Sequence, residues 1–369
     1  MTLSSSVPAC HVDGRVARPR VLVPADIDSL ALAPMREGRI ASFGGETMGT
    51  TWSVRCVLPA GEAGGAPAMR EAALDETIRA VLDDVIVQMS NWRADSSVSR
   101  FNRAAANTWV TVPPACFQVV EAALAVARES GGAYDPSAGP LVDLWGFGPV
   151  PRRASPPSVA AVEAARGRCG WSRIEMDRAA LRLRQQGGIA LDLCAIAKGY
   201  AVDAVRDALV ARGVVHLLVE IGGELRGEGV KPDGMPWWVE LERPLDSEAA
   251  ISSPHAGSHT PTIDLIALHQ LAVATSGDYR RFYLDASQVR RAHTIDPRTG
   301  YPCSHALASV TVLHRSCMLA DAWSTALTVL GPDAGMALAS RRKLAVRFVI
   351  RTATGFRECL SPACSAMLE

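Results

Sequence analysis

What this sequence lacks narrows its reading before any motif is named. It has no excess of charge, since 38 Lys and Arg stand against 38 Asp and Glu. A basic face for nucleic acid or a field toward an anionic membrane is therefore not indicated. No stretch approaches the roughly 18 apolar residues of a membrane helix. The nine cysteines show neither CxxC nor CxxH spacing and are odd in number. That argues against a zinc site and a closed disulfide framework, and suits small reduced core residues. Residues 1–30 carry His11, Arg15, Arg18 and Arg20 among their apolar residues and lack an apolar core of signal-peptide length. Val7-Pro8-Ala9-Cys10 has the outline of a lipoprotein cleavage site, but no apolar run precedes it. The expectation is a cytoplasmic protein; an export signal upstream of residue 1 would make it periplasmic or membrane-associated.

What is present is ample apolar material, 48% of 369 residues, enough for one large core or two moderate ones. Residues 1–38, with Pro8, Pro19, Pro24 and Pro34, read as a loosely packed extension, and 39–369 as the folded domain. Ile40–Phe43 and Trp52–Leu58 read as strands joined through Gly44–Thr51. Leu74, Ile78, Val81, Leu82 and Val85 recur at helical steps and predict a helix over Glu71–Met89. The polar run Ser90–Asn102 reads as a loop, and Val119–Ser130 and Ser158–Arg166 as helices. Beyond residue 215 the chain is mostly β. His216–Ile221 and Leu225–Gly229 flank Gly222-Gly223, and strands follow at Trp237–Glu242, Thr262–Leu268 and Leu271–Thr275. Arg281–Leu284 and Arg290–Ile295 flank a turn at Asp285–Gln288. Ala308–Leu313, helices at Cys317–Leu330 and Asp333–Ser340, and a hairpin of Leu344–Arg351 with Phe356–Leu360 complete the chain. Tight turns between strands imply antiparallel sheets with helices packed on one side, an α+β fold.

Four stretches carry chemistry. Gly188–Asp203, GIALDLCAIAKGYAVD, reads as a buried strand feeding a helix. Such a helix start gathers unpaired N–H groups suited to an anion, and Lys198 adds a full positive charge there. Asp192, between Leu191 and Leu193, needs a partner if it is buried. Ala274–Arg280 and Ala292–Gly300 each end a strand in a polar turn, the second with His293, Asp296 and Arg298. Finally, Asp321 and Thr325 stand four apart on a helix and share a face. A carboxylate beside a hydroxyl suits a hard cation such as Mg²⁺; as an isolated pair it is more usually a structural side-chain hydrogen bond.

Taken in order, GETMGTTWSV, MSNWRADSSVSRFN, GGAYDPSAGPLVDLWGFG, LDLCAIAKGYAVD, LVEIGGELRGEG, ATSGDYR, HTIDPRTGYP and MLADAWSTALTVLG closely resemble the ApbE family of FAD:protein FMN transferases. The resemblance runs from about Gly45 to Pro362. It implies a T-fold-related α+β architecture with FAD in a cleft between two lobes. It also implies Mg²⁺-dependent transfer of FMN from FAD to a Thr or Ser of an acceptor flavoprotein, with release of AMP. Carried across, the flavin site falls on Met48, Trp92, Ala133, Tyr134, Asp135, Asp192, Lys198 and Ile295. The metal site falls on the Ala195 carbonyl, Asp321 and Thr325. Trp92 stands where the family has Tyr, and Cys194 where it has Gly or Ser. His293 is the candidate base for the acceptor hydroxyl, with Asp296 orienting it. A FAD pyrophosphatase yielding FMN and AMP, or a non-enzymatic flavin-binding protein, are the rival readings of the same residues.

Overall fold

The computed structural model describes residues 10–12, 15–17, 20–24, 27, 32–60, 67–149, 155–242, 244, 263–279, 282–285, 290–353 and 355–368. Its centre is an eight-stranded sheet. The spatial order is Gly355–Leu360, Ala345–Thr352, Leu307–His314, Leu271–Gly277, Glu224–Glu228, Leu217–Ile221, Thr50–Pro59 and Gly38–Thr47. All seven pairings in it are antiparallel. Side chains alternate between two cores, as a period of two requires. Leu217, Val219 and Ile221 enter the larger core while Leu218 enters the smaller; Ala272 and Ala274 divide from Val273 in the same way.

Helices Pro67–Met89, Pro114–Glu129, Ala197–Val210 and Cys317–Arg341 cover the larger core. The opposite face is covered by a three-stranded sheet of Trp237–Glu240, Ile263–Leu268 and Arg20–Leu22, together with Cys364 and Met367. The expected α+β class with antiparallel pairing and helices on one side is therefore what forms. Arg20–Leu22 departs from the picture of a loose extension: it pairs in parallel with Ile263–Leu268, and Leu22 is fully buried. Val23 N–H also donates to the Met367 carbonyl. No helix among the described residues is long and apolar enough to cross a membrane. Eight described cysteines are free thiols, and burial pushes Cys116 up to about 12.

Several elements differ from the sequence reading, each for a local reason. The first hairpin is longer, because its strands run on to Thr47 and Thr50 around the two-residue turn Met48-Gly49. Gly45 stays in the strand because the Trp52 indole lies where a side chain would be; a Cβ would stand 2.9 Å from Trp52 Nε1. Part of the polar Ser90–Asn102 run is a helix, Ser97–Arg103, capped by Ser96 Oγ accepting from Ser99 N–H at 3.0 Å and anchored by fully buried Val98 and Phe101. Short strands Thr108–Thr111, Glu175–Asp177 and Arg182–Gln185 form a further small sheet. The two C-terminal helices are continuous except for a break at Gly331, whose φ of 79° precedes Pro332. The turn expected at Asp285–Gln288 lies mostly outside the described residues, although its flanks, Phe282–Leu284 and Arg290–Ala292, do pair.

The largest correction concerns residues 189–193, which belong to no sheet. Ile189, Leu191 and Leu193 alternate inward like a strand, yet side-chain amides take the place of a neighbouring strand. Asn102 Oδ1 accepts from Leu191 N–H at 2.7 Å, and Asn102 Nδ2 donates to the Leu191 carbonyl at 2.9 Å. Gln185 does the same for Ile189, at 3.1 and 2.9 Å. Asp192 N–H donates to the Pro136 carbonyl at 2.8 Å. Periodicity shows that such a segment is extended but is silent about who satisfies its backbone. Asn102→Ala should therefore cost about 1–3 kcal/mol in urea unfolding, because two enclosed backbone groups lose their partner together. A cost below about 0.5 kcal/mol would mean that the segment is held in some other way.

Candidate functional site

Two helices cross closely at the centre of the site. In the Ala197–Val210 helix, Gly199 lies against the first turn of the Cys317–Arg341 helix. A Cβ at Gly199 would sit 2.3 Å from the Cys317 carbonyl oxygen and 2.8 Å from Asp321 Cβ. One turn further on, Asp203 accepts from Cys317 N–H and Met318 N–H, both at 3.0 Å, and from Ser316 Oγ at 2.8 Å. A carboxylate is thus seated on the positive end of the second helix. Arg226 holds Asp203 in turn, at 2.6 Å. The register so fixed brings Asp321 Oδ2 to the Gly199 N–H at 3.1 Å.

Asp321 is only 4% exposed. Burial pushes its carboxyl up to about 7; Lys198 and the Gly199 N–H act in the opposite direction, and Glu224 adds to the rise. Lys198 pairs with Glu224, which begins the strand after the Gly222-Gly223 turn. Glu224 is itself buried, and its Oε2 has no hydrogen-bond partner. The buried Tyr134 hydroxyl also has none, and burial with Asp321, Asp192 and Asp135 nearby holds it well above the usual phenol range. It therefore stays protonated, a donor in want of an acceptor.

Glu224 is the member that the sequence reading missed. The signal lay in the phase of its strand: Leu225 faces the smaller core, so Glu224, Arg226 and Glu228 point toward the helices. Recognising acidic residues on that inward phase requires knowing which face the helices cover.

The remaining candidates fall around this centre. Asp192 Oδ1 accepts from Cys194 N–H at 2.8 Å, shaping the turn that carries Ala195 into the helix. Cys194 is exposed, with its thiol 3.5 Å from Asn91 Oδ1. The Gly131–Gly148 segment packs onto this turn, since a Cβ at Gly139 would touch the Ala190 carbonyl at 3.1 Å and Asp192 Cβ at 3.5 Å. Ala133 and Tyr134 are buried there. Asp135 spends its carboxylate locally, accepting from Ser137 N–H and Oγ at 2.8 and 2.7 Å and from Trp171 N–H at 3.2 Å.

Met48 tips the first hairpin with φ 50°, followed by Gly49 at 72°, the paired positive values of a tight hairpin turn. That tip neighbours Gly222, whose N–H donates to the Thr51 carbonyl at 3.0 Å, so both turns lie at the Glu224 end of the sheet. Trp92 presents its ring at 59% exposure.

His293 is half-buried and meets the Phe147 ring edge-on at 6.2 Å. Ile295 packs with Leu141, Trp145 and Phe147, and Trp145 Nε1 donates to the Gly300 carbonyl at 2.8 Å. Asp296 is bound within its own turn. Its two oxygens accept from the Arg298 guanidinium at 2.9 Å, and Oδ1 also takes the Arg298 N–H, which closes the turn.

Asp321 and Thr325 are not hydrogen-bonded to each other: Asp321 Oδ2 takes the Gly199 N–H, and the neighbouring Ser324 hydroxyl donates to the Asp321 carbonyl at 2.8 Å. Among the described residues no group of three or more His, Cys, Asp or Glu side chains is arranged for a metal. The candidate set of one carboxylate, one hydroxyl and one backbone carbonyl is of another kind, all hard oxygen donors.

Comparison with known proteins agrees over most of the chain. Residues 48–349 match the model described as the ApbE family. A FAD:protein FMN transferase of Vibrio cholerae is 36% identical over 325 residues, spanning 88% of this chain and 92% of its own. One from Haemophilus influenzae is 36% identical over 347 residues, spanning 92% and 95%. Among solved structures, the apo flavinyl transferase ApbE of Pseudomonas stutzeri matches with a TM-score of 0.77 at 38% identity, covering 89% of this chain and 97% of that one. The flavin transferase ApbE of Vibrio cholerae matches with 0.77 at 34% identity, covering 89% and 99%.

The helix crossing can be tested directly. Gly199→Ala forces the two helices apart, and overpacking of this kind costs about 1–3 kcal/mol. Thermal unfolding should register that loss; an unchanged midpoint would mean that the crossing is looser than drawn.

Proposed function

The chain belongs to the ApbE family and is a flavin transferase, and from that premise we propose that it moves FMN from FAD to a Thr or Ser hydroxyl of an acceptor flavoprotein, releasing AMP with the help of Mg²⁺. The observation that carries the metal part of this reading is the state of Asp321. Its buried carboxylate has one backbone donor and is pushed up to about 7, a charge short of compensation. Thr325 on the same helix face and the Ala195 carbonyl in the adjoining turn supply the other oxygens that would hold the ion. That donor set fits Mg²⁺ and lacks the sulfur and imidazole ligands preferred by zinc. When bound, Mg²⁺ supplies charge neutralisation to the pyrophosphate oxygens.

This chain's own groups do the rest. Lys198, in the first turn of its helix, adds positive charge for the phosphates. The Tyr134 hydroxyl and the hairpin tip at Met48 bound the flavin region, and the exposed Trp92 ring offers a stacking face. His293 takes the proton of the acceptor hydroxyl as it attacks phosphorus. Its ring meets Phe147 edge-on. The hydrolytic reading differs only in the nucleophile. Incubation with FAD, Mg²⁺ and a flavoprotein acceptor should leave the acceptor heavier by a phosphoester-linked FMN; free FMN and AMP with an unchanged acceptor mass would favour the hydrolase.

Two variants test the residue roles. Asp321→Asn should raise the Mg²⁺ concentration for half-maximal transfer by about tenfold or more, with partial recovery at high Mg²⁺; superimposable Mg²⁺ curves would remove Asp321 from the metal site. His293→Ala should slow transfer by roughly 10²–10⁴-fold at saturating FAD while FAD affinity is kept. An unaltered rate would assign the proton to another group.

A further inference from the structure

Lys198 acts by its charge on buried Asp321, and its ion pair is with buried Glu224. Its neighbour Gly199 donates its N–H to Asp321, so the base of the Lys198 side chain lies one residue from that carboxylate, and its charge acts on it. The ion pair nevertheless falls on Glu224. Glu224 is buried at the start of a central strand, opposite Ile221, directly after the Gly222-Gly223 turn. That turn is braced by Glu220, which accepts from Gly223 N–H at 2.8 Å, and by the Gly222 bond to Thr51. Glu224 Oε2 has no hydrogen-bond partner, which leaves acceptor capacity at the same carboxylate. A four-carbon stem lets an ammonium reach alternative partners, and its preference is set by which carboxylate is fixed and available.

We propose that Glu224 is a positioning residue: it holds the Lys198 ammonium off Asp321, so that the Asp321 oxygens stay open to a divalent cation. This rests on the reading of Asp321 as a cation ligand. An ammonium seated on Asp321 would occupy the oxygens that a metal needs and would add a like charge beside it. With its partner on the strand, Lys198 keeps its charge near the phosphates without closing the metal site. Glu224 thus acts through Lys198 and touches neither the metal nor the flavin.

The test uses Mn²⁺ alone as probe, titrated into FAD-free protein and followed by the loss of the free-ion electron paramagnetic resonance signal. Wild type should bind Mn²⁺, and Asp321→Asn should weaken that binding. Failure of this pair overturns the cation site itself, and the proposal with it. Glu224→Gln should weaken Mn²⁺ binding by about tenfold, the scale of a lost outer partner. In a Lys198→Met background the same substitution should change affinity by less than about twofold, because the ammonium it restrains is gone. Unaltered affinity in Glu224→Gln overturns the proposal. So does an equal loss in both backgrounds, which would make Glu224 act on the cation directly. Should the unpaired lysine prevent Glu224→Gln from folding, Glu224→Asp, which keeps the charge but draws the carboxylate back by one methylene, takes its place in both backgrounds, with the same outcomes supporting or overturning the proposal. The Lys198→Met/Glu224→Gln variant leaves no buried charge of the pair unmatched, and a difference in Mn²⁺ affinity between it and Lys198→Met overturns the proposal.

Discussion

Everything at the site depends on how closely two helices approach at Gly199. With no side chain there, the Ala197–Val210 helix lies against the backbone of Cys317, and the Gly199 N–H is free to reach Asp321. Asp203 fixes the other coordinate by capping the second helix with three hydrogen bonds, so the two helices can neither slide nor rotate past each other. A carboxylate that would be costly to bury is thereby carried into the core on a rigid element, with its partners chosen by register. The sheet beneath contributes Glu224, and the turn before the first helix contributes Ala195. Residues far apart in the chain meet because one glycine permits the contact.

The path of residues 189–193 follows from a second constraint. This segment must deliver Asp192 and Ala195 to the helix start, yet it has no strand beside it. Asn102 and Gln185 supply the missing backbone partners, and Pro136 supplies another. A sheet neighbour would have imposed its own twist and extent; side-chain amides hold the segment at two points and leave the following turn free to be shaped by Asp192 and Cys194. The same logic runs through the Gly131–Gly148 segment, where Asp135 is spent on Ser137 and Trp171 so that Tyr134 stays buried beside Asp321.

Long periodic elements were legible from residues alone: the Pro67–Met89 helix, read from Glu71 onward, the Gly222-Gly223 hairpin and the break before Pro332 all follow from local chemistry. Short elements were not. The strands Thr108–Thr111, Glu175–Asp177 and Arg182–Gln185 are too brief to display alternation, and Ser97–Arg103 hides two core residues inside a polar run. The blocks that resemble the family marked Asp321, Lys198 and Tyr134 as belonging together, and the structure puts them in one electrostatic neighbourhood. The resemblance said nothing of Glu224, because its importance lies in which face of a strand the helices cover. Asp296 shows the reverse case: its spacing from His293 suggested a catalytic pair, while Arg298, two residues on, offered a planar guanidinium that takes both oxygens.

The charge inventory of the site bears on the proposed cation. Asp321 and Glu224 are two buried carboxyl groups that share the influence of one ammonium, that of Lys198. A pyrophosphate brings further negative charge, and like charges in an enclosed site repel strongly. The helix start offers only partial positive charge and cannot balance them. On the proposed reading a divalent ion at Asp321 would offset that negative charge, and hard oxygen donors are what such an ion prefers. Under that reading ion and substrate would be thermodynamically linked, each favouring the other's binding, because the ion relieves the repulsion between the carboxylates and the incoming phosphates.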